Sequence, residues 1–121
     1  MMRYLALSWV LLAACGAEAP RHSDFRLGVT RDQVTATFGT PTRMQSLINQ
    51  GQPIWGPIED YWHQVPVGSS VEIWAYRSMM IVEDTVTTHV QSGETELYFV
   101  DASNSVDGIG FKLDGAVYES N

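Results

Sequence analysis

The sequence predicts an α+β domain in which short helices pack on one face of a three-stranded antiparallel sheet. Three observations predict it. A helix signal with its own start and stop punctuation occupies residues 31–38. Three strand-like runs follow in the second half of the chain, at 71–82, 94–101 and 106–113. The connections are short, which favours an antiparallel meander over parallel crossovers.

The helix comes first. Thr30 is followed three residues later by Gln33, the spacing of a capping box. Val29 and Val34 stand where a hydrophobic staple would close, and Val34 and Phe38 share a helix face. Gly39 is placed to end the helix, and Pro41 prevents its continuation. A helix this short is marginal alone and must dock on something, here the sheet.

In residues 43–70 the spacing of Met44, Leu47 and Ile48 is helical, and Gly51-Gln52-Pro53 would end such a helix. Pro57, with Glu59 and Asp60 behind it, suits a second short helix over about 57–64, presenting Ile58, Tyr61 and Trp62 on one face. Pro66 and Gly68-Ser69 close the segment.

The run 71–82 is rich in β-branched and aromatic residues, with Trp74 and Tyr76 on one face and Val71, Ile73 and Ala75 on the other. The small-residue face is the expected seat for Val34 and Phe38. Residues 83–93 are polar and either extend a hairpin or form a loop. In 94–101, Leu97 and Phe99 alternate with Tyr98 and Val100. Ala102 to Ser105 has turn composition. Gly108 and Gly110 weaken 106–113 and mark it as a bulged or edge strand. The tail 114–121 is expected to fray.

Composition limits the chemistry. The chain has 121 residues and a formal net charge of −7, which argues against nucleic acid as a partner. His22, His63 and His89 have no ligand spacing. Glu59-Asp60 and Glu83-Asp84 are adjacent pairs whose side chains diverge. Asp101, Ser103, Ser105 and Asp107 imitate a calcium loop, but Val106 and Lys112 stand where it needs Gly and Glu. The sequence therefore points away from an enzyme and from a metal, cofactor or small-molecule site. A hydrolase or metal binder would require His63, His89 and the acids to meet in one pocket.

The N-terminus carries a different signal. Arg3 precedes the apolar run Leu5–Leu12, far shorter than the ~20 residues of a spanning helix. The run ends in Leu12-Ala13-Ala14-Cys15, which resembles the lipobox of bacterial lipoprotein signal peptides. The resemblance implies cleavage before Cys15 and acylation of that residue, the chain's only cysteine. It divides the chain into a signal peptide (1–14), the lipidated cysteine with a flexible tether (15–24) and a domain (25–121). Each buried methylene contributes about 0.8 kcal/mol, so two or three acyl chains form a lasting anchor. Gly16 lacks the Asp that favours inner-membrane retention in enteric-type sorting, so an outer-membrane anchor with the domain in the periplasm is expected.

RLGVTRDQVTATFGTP is similar to the GMT-x-x-Q-V-x-x-x-x-G-x-P signature of the SmpA/OmlA (BamE-type) outer-membrane assembly lipoproteins. Gly28, Thr30, Gln33, Val34, Gly39 and Pro41 are the matching positions, and Trp74 and Tyr76 match that family's W-x-Y strand. The likeness covers 26–42 and 72–113. It implies the same helix-on-sheet layout, shared with β-lactamase-inhibitor proteins. It also implies a non-enzymatic, lipid-anchored module that supports outer-membrane protein assembly or envelope integrity through a protein partner. A protein-binding or inhibitor lipoprotein using the same sheet is the alternative. Segment 43–70 departs from the family, being long and aromatic. Trp55, Tyr61 and Trp62, with Trp74 and Tyr76 on the strand, are the candidate partner-binding residues, since Trp and Tyr anchor interfaces. Buried rings would make them core instead.

Overall fold

Two long strands set the architecture: β2 (Ser70–Glu83) and β3 (Thr88–Val100) form one antiparallel hairpin. Asp84 closes it. Its Oδ1 accepts from the amides of Val86 (3.0 Å) and Thr87 (2.7 Å), so the polar stretch 83–93 continues the hairpin. The computed structural model describes residues 19–118. The expected signal peptide 1–14, the lipidation position Cys15 and tail residues 119–121 lie outside them. The described residues are α+β. Strands β1 (Arg43–Ile48) and β4 (Gly108–Leu113) flank the hairpin in a four-stranded antiparallel sheet ordered β1-β2-β3-β4. Two α-helices, α1 (Arg31–Phe38) and α2 (Glu59–Trp62), lie outside the sheet.

Alternation places Trp74, Tyr76, Leu97 and Phe99 on one face of the hairpin and Val71, Ile73 and Tyr98 on the other, and all are buried. Burying each large side chain contributes about 1.5–3 kcal/mol, so both faces demand cover. The expectation of helices on one face therefore fails: α1 covers the first face and the segment carrying α2 covers the second.

Helix α1 forms as its punctuation dictates. The Thr30 hydroxyl accepts from the Gln33 amide (3.1 Å), and the Gln33 side chain accepts from the Thr30 amide (2.9 Å). Gly39 ends the helix at φ +82°. Val34 and Phe38 do not seat on Ile73 and Ala75. They pack against Trp74, Tyr76, Leu97 and Phe99, where flat rings can interleave: Phe38 stacks on Phe25 at 4.1 Å, and both lie against Tyr76. The small-residue face instead receives Ile58 and Val65, with Ile54, Tyr61 and Trp62 around them.

β1 corrects the strand count and the helical reading of 44–48. Leu47 turns inward to the second core, while Met44 and Ile48 face outward and are about half exposed. Pairing with β2 along its whole length, from Arg43↔Ala75 to Ile48↔Ser70, outweighs a three-residue helical spacing. Residues 20–24, expected in the tether, are docked as well. The Met79 amide donates to the Pro20 carbonyl (2.9 Å), and a 3-10 turn at His22–Asp24 crosses the first face.

Candidate functional site

β4 is an edge strand, and its open side forms the floor of a groove. The Asp114 amide donates to the Ser92 carbonyl (3.0 Å). By ladder alternation, Gly110 and Lys112 direct their peptide groups at β3, and Ile109, Phe111 and Leu113 direct theirs outward. The Leu113 carbonyl accepts from the Ala116 amide (3.0 Å). Among the described residues, no further bond reaches the outward groups of Ile109 and Phe111.

One wall comes from the α2 segment. Tyr61 stacks on Tyr98 (5.3 Å between centroids) and presses on β4 at Gly108, where a Cβ would come within 2.6 Å of its ring. At Gly110 a Cβ would strike the Tyr98 hydroxyl and come 3.2 Å from the Pro57 side chain. These two glycines let the wall close on the strand. The opposite wall is His22, Ser23, Phe25 and Leu27. His22 Nδ1 lies 2.9 Å from Thr95 Oγ1, which lies 2.8 Å from Ser78 Oγ, and its ring meets Phe111 edge-on at 5.2 Å. Burial pushes the His22 pKa down, favouring the neutral imidazole. The groove has two adjoining lobes of about 610 and 410 Å³, joined at His22, Tyr61, Gln64 and Ile109.

The rim is acidic. Glu59 and Asp60 stand beside Tyr118 at one lobe, and Asp107 borders the other. Burial, then the charge of Asp107, raises the Tyr61 pKa. Burial, then Glu59, Glu96 and Asp60, raises that of Tyr118. Two of the acids are already fixed: Glu59 accepts from the Gly56 amide (2.8 Å) and Asp107 from the Val100 amide (2.8 Å). The groove thus combines rings from both walls with peptide groups of β4 that are unpaired among the described residues. Among the described residues no three His, Cys, Asp or Glu side chains converge as a metal site, and no helix is long and apolar enough to cross a membrane.

The five predicted partner-binding residues do not share one surface. Tyr61 lines the groove. Trp62 is half-buried on the second core, its Nε1 donating to the Gln52 carbonyl (3.3 Å). Trp55 is 41% exposed and lines neither lobe. Trp74 and Tyr76, at 8% and 4%, are core beneath α1. Cys15 lies outside the described residues. Sequence reasoning missed His22, Gln64, Ile109, Phe111 and Tyr118 as groove residues, although the Gly108/Gly110 pair signalled the edge. No family model matches the chain, and no curated protein or solved structure matches it.

Proposed function

We propose that this protein is a non-enzymatic interaction module of the bacterial envelope, anchored by acyl chains on Cys15 with its domain in the periplasm. Its partner is a protein held in the groove beside β4. The single observation that carries the reading is that groove: aromatic walls on both sides of an edge strand that is unpaired among the described residues suit the capture of a macromolecule. The likeness of 26–42 and 72–113 to SmpA/OmlA lipoproteins supports an outer-membrane assembly role. The segment that departs from that family supplies Pro57, Tyr61 and Gln64, so the partner would be this chain's own rather than the family's. The acidic rim favours, as a second reading, an inhibitor-like lipoprotein that captures a basic target.

The test is photocrosslinking in intact cells from a reactive residue at Gln64, in the groove, or at Val67, exposed outside it. A defined adduct from Gln64 and none from Val67 is expected; equal labelling would remove the groove from the proposal. For the anchor, Cys15→Ser should release the protein from membranes in high salt. A variant that stays bound would overturn the lipidation reading.

A further inference from the structure

We infer that the groove takes an extended polypeptide segment as a fifth strand on β4, one whose side chains alternate between cationic and apolar. The inference rests on the interaction-module reading and specifies its chemistry. Three observations lead to it.

First, Ile109 and Phe111 present outward N–H and C=O groups at the spacing of an antiparallel ladder. An unpaired edge is a template for another chain, and main-chain pairing is how such edges capture peptides. Second, the edge is walled on both sides, by Pro57 and Tyr61 on one and by His22 and Phe25 on the other, a shape that suits one extended chain. The other sheet edge, at β1, lacks such aromatic lining: its hollow is lined by Ser46, Leu47, Ile48, Gln50 and Ser70, and Met44 and Ile48 are 55% and 53% exposed. Third, the walls differ in character. A strand in the groove would send alternate side chains to opposite walls. On the α2 side it meets Glu59, Asp60 and the rings of Tyr61 and Tyr118, which suit a lysine or arginine by charge and by cation–π contact. On the other side it meets Phe25, Leu27 and Ile109 beside His22 and Ser23, with Asp107 at the border; the apolar part suits an aliphatic side chain.

The experiment uses the whole isotope-labelled chain in nonionic detergent and end-capped heptapeptides as probes. A peptide alternating valine and lysine should bind and shift the Ile109 and Phe111 amide resonances most. A valine–glutamate counterpart should bind at least tenfold more weakly. N-methylation of every second residue should abolish binding in one frame and spare it in the other, because only one set of amides faces β4. In the protein, Phe111→Pro removes an outward N–H that the sheet does not use, which an edge strand tolerates. It should lose at least tenfold more affinity than Phe111→Ala, which removes the ring alone. Equal affinity of these two variants, indifference to the N-methyl frame, shifts centred on β1, or no binding by any peptide would overturn the inference. If Phe111→Pro fails to fold, the N-methyl pair decides. Adducts from Gln64 alongside failed peptides would leave the interaction module standing and remove strand addition alone.

Discussion

The Tyr76 hydroxyl donates to the Gly39 carbonyl at 2.8 Å, fastening the end of α1 to the middle of β2. Gly39 also donates its amide to the Thr35 carbonyl (2.9 Å), at φ +82° and ψ −158°. Glycine alone visits this region without strain. Gly39→Val should therefore destabilise the domain by about 2–3 kcal/mol. Thr30→Ala, losing one capping bond at the other end of the helix, should cost about 1 kcal/mol. Thermal melts compare them, and equal, negligible shifts would contradict this account of α1.

Burial pushes the Tyr76 pKa up to about 12. A phenol that ionises near 10 when unfolded and near 12 when folded makes the native state the better proton binder between those values. Its contribution is complete below pH 10 and is lost as pH rises through 12. Tyr76→Phe should cost about 1 kcal/mol at neutral pH by losing the bond to Gly39. It should also flatten the fall in stability between pH 10 and 12. Tyr98, raised by burial and by Glu96, preserves part of that fall. Urea midpoints of both proteins at pH 8 and 11 check the sign.

The aromatic residues should separate by position rather than by type. Phe38→Ala breaks the stack with Phe25 and should cost about 3 kcal/mol. Trp62→Ala opens the second core and should cost about 2–3 kcal/mol. Trp55→Ala should change stability by less than about 1 kcal/mol, as expected of an exposed residue. Denaturant melts give the order; a Trp55 variant as unstable as the Phe38 variant would contradict it.

The turn between β3 and β4 holds two non-glycine residues in the left-handed region, Asp101 at φ 52° and Ala102 at φ 61°. Asp101 is held there: its carboxylate accepts from the Ser69 hydroxyl (2.8 Å) and the Ser70 amide (3.0 Å). Ala102 has no comparable side-chain tie. Ala102→Gly should raise stability by about 1 kcal/mol, seen as a higher melting temperature. A fall would show that the glycine's extra unfolded-state entropy outweighs the relieved strain.

The parts of this fold that were legible in the sequence are those with local causes. The capping box, Gly39 and the central parts of the three C-terminal strands lie within the stretches that announce them, although β3 begins at Thr88, well ahead of the run 94–101. β1 was hidden because an edge strand needs few inward residues; Leu47 alone turns to the core, too little for a period-two pattern. The side chosen by α1 was hidden because both faces of β2 are apolar, so alternation named two faces without saying which receives a ring. The groove was hidden for a third reason. Its walls, Tyr61 and His22, stand far apart in the chain, and only the tertiary fold brings them to either side of β4.

The two-sided burial of β2 and β3 also bears on how the hairpin finds its alignment. With one greasy face, sliding by a single residue would bring every apolar group into water. Here the slipped pairing would still bury hydrophobic side chains, so oiliness barely distinguishes the alternatives. The discriminating information lies in a few groups that accept only one neighbour. Ser78 meets Thr95 at 2.8 Å, and Arg43 reaches Glu94 and Glu96 together. Gly93 leaves room for the Lys112 carbonyl, which any side chain there would strike. A one-residue slip of β3 would turn the Glu94 and Glu96 carboxylates into the layer beneath α1, without the arginine that now neutralises them. The polar minority of the sheet thus acts as its registration marks, excluding a misfold that the hydrophobic majority would tolerate.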